Sequence, residues 1–179
     1  MNISDDAWTE LVISDGDLAL TPLRSEDGVA VLAGEDEQIQ RWYSDGISTA
    51  ETVGASLQKA EAQWRDGGPI SNFGIRHGAD RVLIGTLDVQ LAMDFTRDGQ
   101  ANIAYGLHQP WRGKGLATRA VHLAMRFLVD HTSAREAMIQ TDPDNTASAA
   151  VALRAGFTLV ARAGADQPCD RYERSLPGR

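Results

Sequence analysis

The stretch Gln109-Pro110-Trp111-Arg112-Gly113-Lys114-Gly115-Leu116-Ala117-Thr118 decides the fold. It follows an apolar, strand-like run from Ala101 to His108. It opens straight into an amphipathic helix over Leu116 to Asp130. A strand-to-helix turn with glycines and two cations is a place to hold an anion. The amides of a helix's first turn lack internal partners and sit at the positive end of the helix dipole. A tight turn explains Gly113 and Gly115. It does not explain Arg112 and Lys114 at a helix start, where the dipole disfavours positive charge. A bound anion resolves that conflict.

Two familiar phosphate motifs do not fit. The G-x-x-x-x-G-K-[ST] loop is absent, because Lys114 is followed by Gly115 and no glycine precedes Gly113 at the required offset. No G-x-G-x-x-G occurs either, and the preceding strand belongs to a meander.

Upstream, three strands are predicted: Ile70 to Arg76, Val82 to Leu91, and Ala101 to His108. The turns His77-Gly78-Ala79-Asp80 and Arg97-Asp98-Gly99 are short, which implies antiparallel pairing. Before them, Ser48-Thr49-Ala50-Glu51 reads as a capping box for a helix carrying Val53, Leu57, Ala60 and Trp64 at helical spacing. Gly67-Gly68-Pro69 stops it. Asp17 to Arg24 reads as a first strand, with Pro22 implying an edge. Ser25 is placed to cap a helix to Ala33, and a short helix is expected over Glu37 to Trp42. Tyr43-Ser44-Asp45-Gly46 is turn chemistry. Residues 1–16 read as a loose arm around Trp8.

Downstream, the helix after the turn carries Leu116, Ala117, Ala120, Val121, Leu123, Ala124, Phe127 and Leu128 on one broad face. Glu136 to Thr141 is a further strand. Asp144 or Asn145 caps a helix over Thr146 to Arg154, and Gly156 suits its C-terminal stop. Phe157 to Ala161 and Asp170 to Leu176 close the sheet.

The chain has 179 residues, 42% hydrophobic and 23% charged, as expected of one globular domain spanning 1–179. Net charge is −8, which argues against nucleic acid as a main partner. An acidic surface suits either solubility or a cationic substrate. The single cysteine, Cys169, excludes a disulfide framework and fits a reducing cytoplasm. No signal-peptide layout and no bilayer-length apolar run is present, so a cytoplasmic protein without membrane contact is expected. The four histidines show no metal-ligand spacing, and no metal is expected.

Arg112-Gly113-Lys114-Gly115-Leu116-Ala117 resembles the R/Q-x-x-G-x-G/A signature of the GNAT acetyltransferases. Ile103-Ala104-Tyr105-Gly106-Leu107 looks like the strand before that signature in the branch that includes the ribosomal-protein N-acetyltransferases. Asp144-Asn145-Thr146-Ala147-Ser148 and Leu153-Arg154-Ala155-Gly156-Phe157 look like that branch's second motif. The likeness runs from Val82 to Phe157. Before that, only the element order agrees.

The resemblance implies an α/β (α+β) fold: a mixed, mostly antiparallel sheet of about six or seven strands, splayed around acetyl-CoA, with about four flanking helices. It implies pyrophosphate binding by the amides of Arg112, Gly113, Lys114, Gly115, Leu116 and Ala117, with Thr118. Backbone groups of Leu107 and His108 would hold the pantetheine arm and the thioester carbonyl. Asn145 would contact the pantetheine, Ser148 the sulfur, and Arg154 either the adenosine 3′-phosphate or only solvent.

The implied activity is acetyl transfer to a primary amine by direct attack on the thioester. A base must first deprotonate the amine. Many relatives carry Glu at the start of the third strand, where this chain has Asn102, and an amide cannot serve. Asp88 on the neighbouring strand is the local substitute; its bland alternative is an outward-facing acid. Glu35, Asp36 and Asp45 lie in the region that usually lines the acceptor site. Two acceptors stay open: a protein N-terminus, or a small cationic amine such as an aminoglycoside or basic-peptide antibiotic. An acyl-CoA-binding sensor without turnover is the alternative from another class. A monomer or homodimer is expected.

Overall fold

The computed structural model describes residues 7–43, 48–165 and 167–177. Among them, β1 (Ile13–Ser14), β2 (Leu18–Pro22), β3 (Ile70–His77), β4 (Val82–Leu91), β5 (Gln100–Leu107), β6 (Glu136–Thr141), β7 (Thr158–Ala161) and β8 (Asp170–Ser175) form one sheet of eight strands. Its order is β1-β2-β3-β4-β5-β6-β8-β7. The helices are α1 (Gly28–Ala33), α2 (Glu37–Trp42), α3 (Ala50–Asp66), α4 (Leu116–His131) and α5 (Thr146–Arg154). The sheet thus exceeds the expected six or seven strands because two-residue β1 pairs with β2, Ile13 opposite Leu20. That pairing ends at Ala19 and Leu20, so Pro22 lies beyond β1, where no outer neighbour needs an amide.

Residues 7–14 are not a loose arm. Trp8 is buried and stacks on Trp64 with ring centroids 6.4 Å apart. Trp64, from the end of α3, also meets Phe73 and Phe127 edge-on, which joins helix, sheet and α4 in one core. Ser25 does not cap a helix. It begins a 3-10 turn over Ser25–Asp27, in which Asp27 accepts the Arg24 amide at 3.0 Å. Asp27 is also held by Arg76 of β3 at 2.7 Å, so this buried acid is paired.

The α5 cap forms where the sequence marks it, while the α3 capping box falls one residue later than expected, on Thr49 and Thr52 and not on Ser48 and Glu51. Thr49 and Thr52 exchange reciprocal bonds at the start of α3, and Gly67 ends that helix in the left-handed region at φ 63°. Asn145 accepts the Ser148 amide at 3.0 Å and starts α5.

The feature that creates the site is the one parallel pairing. β5 and β6 are in register only at Gln100, Ala101 and Asn102, opposite Glu136, Ala137 and Met138. Beyond Asn102 they part, and a fork opens between Ile103–Leu107 on one side and Ile139–Thr141 on the other. α4 packs across β1, β2 and β5 on one face, while α1 and α3 pack over β3 and β4. No helix among the described residues is long and apolar enough to cross a membrane.

Candidate active site

The turn at the foot of the fork is open. Gly113 and Gly115 stand at φ 73° and 75°, and a Cβ on either would meet no heavy atom within 4 Å. Arg119 is the first amide of α4 to reach back, to the Gly115 carbonyl at 3.2 Å. No side chain among the described residues caps this end. The amides of Leu116, Ala117 and Thr118 therefore have no intrahelical partner and face a positive dipole end, which suits phosphate.

The two cations have partners of their own. Arg112 gives Nη1 to Asp36 at 2.7 Å, Nη2 to its other oxygen at 2.9 Å, and Nε to the Leu107 carbonyl at 2.7 Å. The Lys114 ammonium stands 5.3 Å from the centre of the Trp111 ring. Arg112 therefore needs no anion to explain it. Asp36, in turn, caps α2 by accepting the Ile39 amide at 3.0 Å, and the Arg112 hydrogen bond above all holds its carboxyl below the usual range. Its oxygens are committed within the fold.

The fork itself has groups for an extended ligand. The His108 amide bonds the Ile84 carbonyl at 2.9 Å, and the His108 carbonyl accepts from Trp111 at 3.0 Å. Both backbone groups of His108 thus have a partner within the fold, and its carbonyl keeps a second lone pair facing outward from that bond. The same bond fixes the alternation of the antiparallel pair, Ile84 with His108 and Thr86 with Gly106 facing inward. The Leu107 amide then points the other way, into the fork. Thr141 is 3% exposed, and its Oγ1 has no partner among the described residues while the residue lines the fork. Such an atom costs about 1–3 kcal/mol unless something bonds it.

Ser148 and Asn145 also line the fork. Tyr105 is more than a packing residue: its hydroxyl lies 3.0 Å from Ser148 Oγ, and burial pushes it up to about 12. Arg154 is exposed at the end of α5 and does not line the fork. Cys169, distant in sequence, lines it, but burial raises its thiol, which keeps it a poor nucleophile.

A second cavity, of about 620 Å³, lies between α1–α3 and the sheet. Asp88 faces it. Asn72 of β3, directly opposite, gives Nδ2 to Asp88 at 2.7 Å, and the Tyr43 hydroxyl donates to the same carboxylate. Asp88 keeps some surface open to the cavity. The packing around it raises its pKa, against the two donors that lower it. Glu35 lines the cavity and accepts from the Ser48 hydroxyl. Asp45 lies outside the described residues. His108 lines the cavity too; a side chain on Gly34 would collide with its ring. Burial, and then the Arg112 charge, lower the His108 pKa. Asn102 gives Nδ2 to Gln90 at 2.9 Å, and its buried Oδ1 has no partner among the described residues beside the fork. Among the described residues no group of His, Cys, Asp and Glu is placed to hold a metal. Tyr43 was missed in the sequence, where it reads only as the first residue of a turn.

A forked sheet with an open glycine turn at its foot and a buried carboxyl beside it has room for an extended ligand. Residues 17–158 match the family model described as an acetyltransferase (GNAT) domain, and the chain belongs to that family. It is an acyltransferase by that membership. Among solved structures it is similar to the acetyltransferase from Salmonella typhimurium that modifies the N-terminal serine of 50S ribosomal subunit protein L7/L12. The TM-score is 0.76 at 20% identity, over 93% of this chain and 100% of that one. It is similar to the microcin C7 self-immunity acetyltransferase MccE in complex with acetyl-CoA and AMP, with TM-score 0.75 and 16% identity over 92% and 94%. The aminoglycoside acetyltransferase AAC(6′)-Ib in complex with coenzyme A gives 0.73 and 18% over 88% and 94%. No curated protein matches the sequence. At these identities the neighbours establish the fold, which is the expected mixed, mostly antiparallel α/β arrangement.

Proposed function

We propose that the chain transfers an acetyl group from acetyl-CoA to a primary amine, with Asp88 as the final proton acceptor. The observation that carries this reading is the Asp88 carboxyl, held by Asn72 and Tyr43 in the second cavity, behind its boundary with the fork. An amine arrives protonated, near ~10.4 for a lysine type and ~8 for an α-amino group. It must lose a proton before it can attack. A carboxylate with a raised pKa is a better base for that task than an ordinary one.

Acetyl-CoA supplies the activated thioester. The free amides of Leu116, Ala117 and Thr118, with the open Gly113 and Gly115, would hold its pyrophosphate. Thr141, Asn145 and the Leu107 amide line the path of the pantetheine arm. The Leu107 amide is aimed to meet the carbonyl oxygen as it gains charge. Ser148, bonded to Tyr105, can deliver a proton to the leaving sulfur.

The acceptor would occupy the cavity over Asp88. One wall is a polar stripe of α3, with Thr52, Ser56, Lys59 and Gln63 at helical spacing, and the opposite wall includes Leu23, Val31 and Ile39. About 620 Å³ bounded this way suits a small amine with a hydrogen-bonding body. A protein N-terminus, the acceptor named for the Salmonella relative, is the competing reading.

Thiol release from acetyl-CoA, with product mass, is the test. The panel holds small polar amines, aminoglycosides and peptides with free N-termini. Turnover with small amines above peptides is expected. Turnover with peptides alone would move the acceptor to a protein N-terminus. Tight CoA binding with no turnover across the panel would replace the enzyme with a binding sensor.

A further inference from the structure

The fork and the cavity over Asp88 meet at one place. Both are lined by Ile39, Tyr43 and Gly106. Gly106 brings no side chain to that boundary, and a Cβ there would stand 3.7 Å from Tyr43 Cγ and 3.8 Å from Ile39 Cγ1. The partition is therefore the Tyr43 ring beside Ile39. Asp88 lines the cavity but not the fork. It is set back from the point where a thioester and an amine would meet, and the Tyr43 hydroxyl spans the gap by donating to its carboxylate.

We infer that Tyr43 is the group through which Asp88 takes the proton from the attacking amine. The amine gives a proton to the Tyr43 oxygen while Tyr43 gives its own to an Asp88 oxygen. One N–H bond and one O–H bond break, and two O–H bonds form, one on each residue. The phenol is neutral before and after. This rests on the acetyl-transfer reading of the same site.

The surroundings suit that exchange. Burial first, and then the Asp88 charge, hold the Tyr43 hydroxyl well above the usual tyrosine range, so a standing phenolate is disfavoured and a concerted hand-over is not. The Thr86 hydroxyl also bonds the phenol, and because a carboxylate only accepts, the phenol hydrogen goes to Asp88. Asn72 of β3 holds the far side of the carboxylate. The other charged or titratable groups around the cavity are Glu35 ahead of α2, Lys59 of α3 and His108 after β5. Tyr43 follows directly on α2, which Arg112 ties to the glycine turn through Asp36.

Tyr43→Phe keeps the ring and removes the hydroxyl. The expected result is a kcat lower by ~100-fold or more, within the span of acid–base catalysis, with the KM for acetyl-CoA unchanged. Asp88→Asn should cause a similar loss. The double variant should be no worse than either single one, because groups acting as a unit are not additive. A Tyr43→Phe enzyme within about threefold of wild-type kcat overturns the relay, as do losses that multiply in the double variant. Thr86→Val carries the test if Tyr43→Phe does not fold: a lower kcat at constant acetyl-CoA KM supports the relay, and an unchanged kcat overturns it. Wild-type turnover keeps the failures apart, since its absence sinks acetyl transfer itself, while its presence beside an unaffected Tyr43→Phe sinks only the relay.

Discussion

Arg112 grips both carboxylate oxygens of Asp36, at 2.7 and 2.9 Å, and so fastens the turn before α4 to the N-cap of α2. Because this bond above all lowers the Asp36 pKa, the sign of its pH dependence is fixed. A carboxyl depressed in the folded state contributes stability above its unfolded pKa of roughly 3.9 and loses it as pH falls through the folded value. Both side chains are about a quarter exposed, at 25% and 27%, so water screens the pair. Asp36→Asn should cost roughly 1 kcal/mol at pH 7, or about 2–4 °C in Tm. The gap between variant and wild type should close below pH ~4. Melts that coincide at pH 7 would remove this pair from the account. The KM for the amine should rise more than that for acetyl-CoA, since α2 leads to Tyr43.

Gly113→Ala and Gly115→Ala separate strain from ligand binding. Each residue sits in the left-handed region with open space around it, so the methyl costs only ~1–2 kcal/mol of backbone strain. Gly78, in the β3–β4 turn, has the same geometry at φ 76° and is equally open, which makes Gly78→Ala the control. All three variants should melt lower by a similar amount. Only the first two should weaken CoA binding by calorimetry, about tenfold or more, because their methyl enters the cradle. Equal CoA affinity in all three would refute the cradle.

The reach of the sequence follows from how local each feature is. β4, β6, α2 and α5 begin and end at the residues predicted, because Gly, Pro, Asn and Thr punctuate them within a turn of the boundary. The glycine turn was legible for the same reason. Arg112 was not: its cation seemed to call for an anion because its partner, Asp36, is remote in the chain. Glu35 and Asp36 read as one acidic group, yet one faces a cavity and the other caps a helix. Trp8 looked isolated because its stacking partner, Trp64, comes from another element. Tyr43 gave no signal at all. Its role depends on β4 and β5 placing Asp88 and Gly106 under the end of α2, which no short-range pattern encodes.

Asp88→Asn should make the protein more stable while it disables it. Burial raises the Asp88 pKa, so the native state holds its proton to higher pH than the unfolded chain does. Between the two values the native state binds more protons, and stability falls as pH rises. Above the folded value the full penalty of a buried carboxylate remains. The amide removes it and still accepts from Asn72, while Tyr43 can accept from the new NH₂. The Tm of Asp88→Asn should therefore exceed wild type at pH 7–8, with the two converging near pH 3. A lower Tm at pH 7 would mean that Asn72 and Tyr43 overcompensate the burial, and that Asp88 is a structural anion rather than a base.

Ser148 and Tyr105 make the opposite demand, for a donor at the sulfur. Their oxygens are 3.0 Å apart, and Tyr105, pushed up to about 12, stays protonated throughout the working range. The pair can pass a proton outward without itself titrating. Its value then depends on the leaving thiol, whose conjugate acid has a pKa of roughly 8.5. Below that pH the thiolate leaves with help, and above it the thiolate leaves unaided. Ser148→Ala should lower kcat by about tenfold at pH 6.5 and by much less at pH 9. Tyr105→Phe should show the same slope with a smaller amplitude, because it reaches the sulfur only through Ser148. A loss that is constant with pH would make Ser148 a packing residue of the fork. Help with deprotonating the acceptor would fade with pH in the same way, so a midpoint that shifts with the pKa of the amine, when acceptors of different basicity are compared, would place Ser148 with the amine instead.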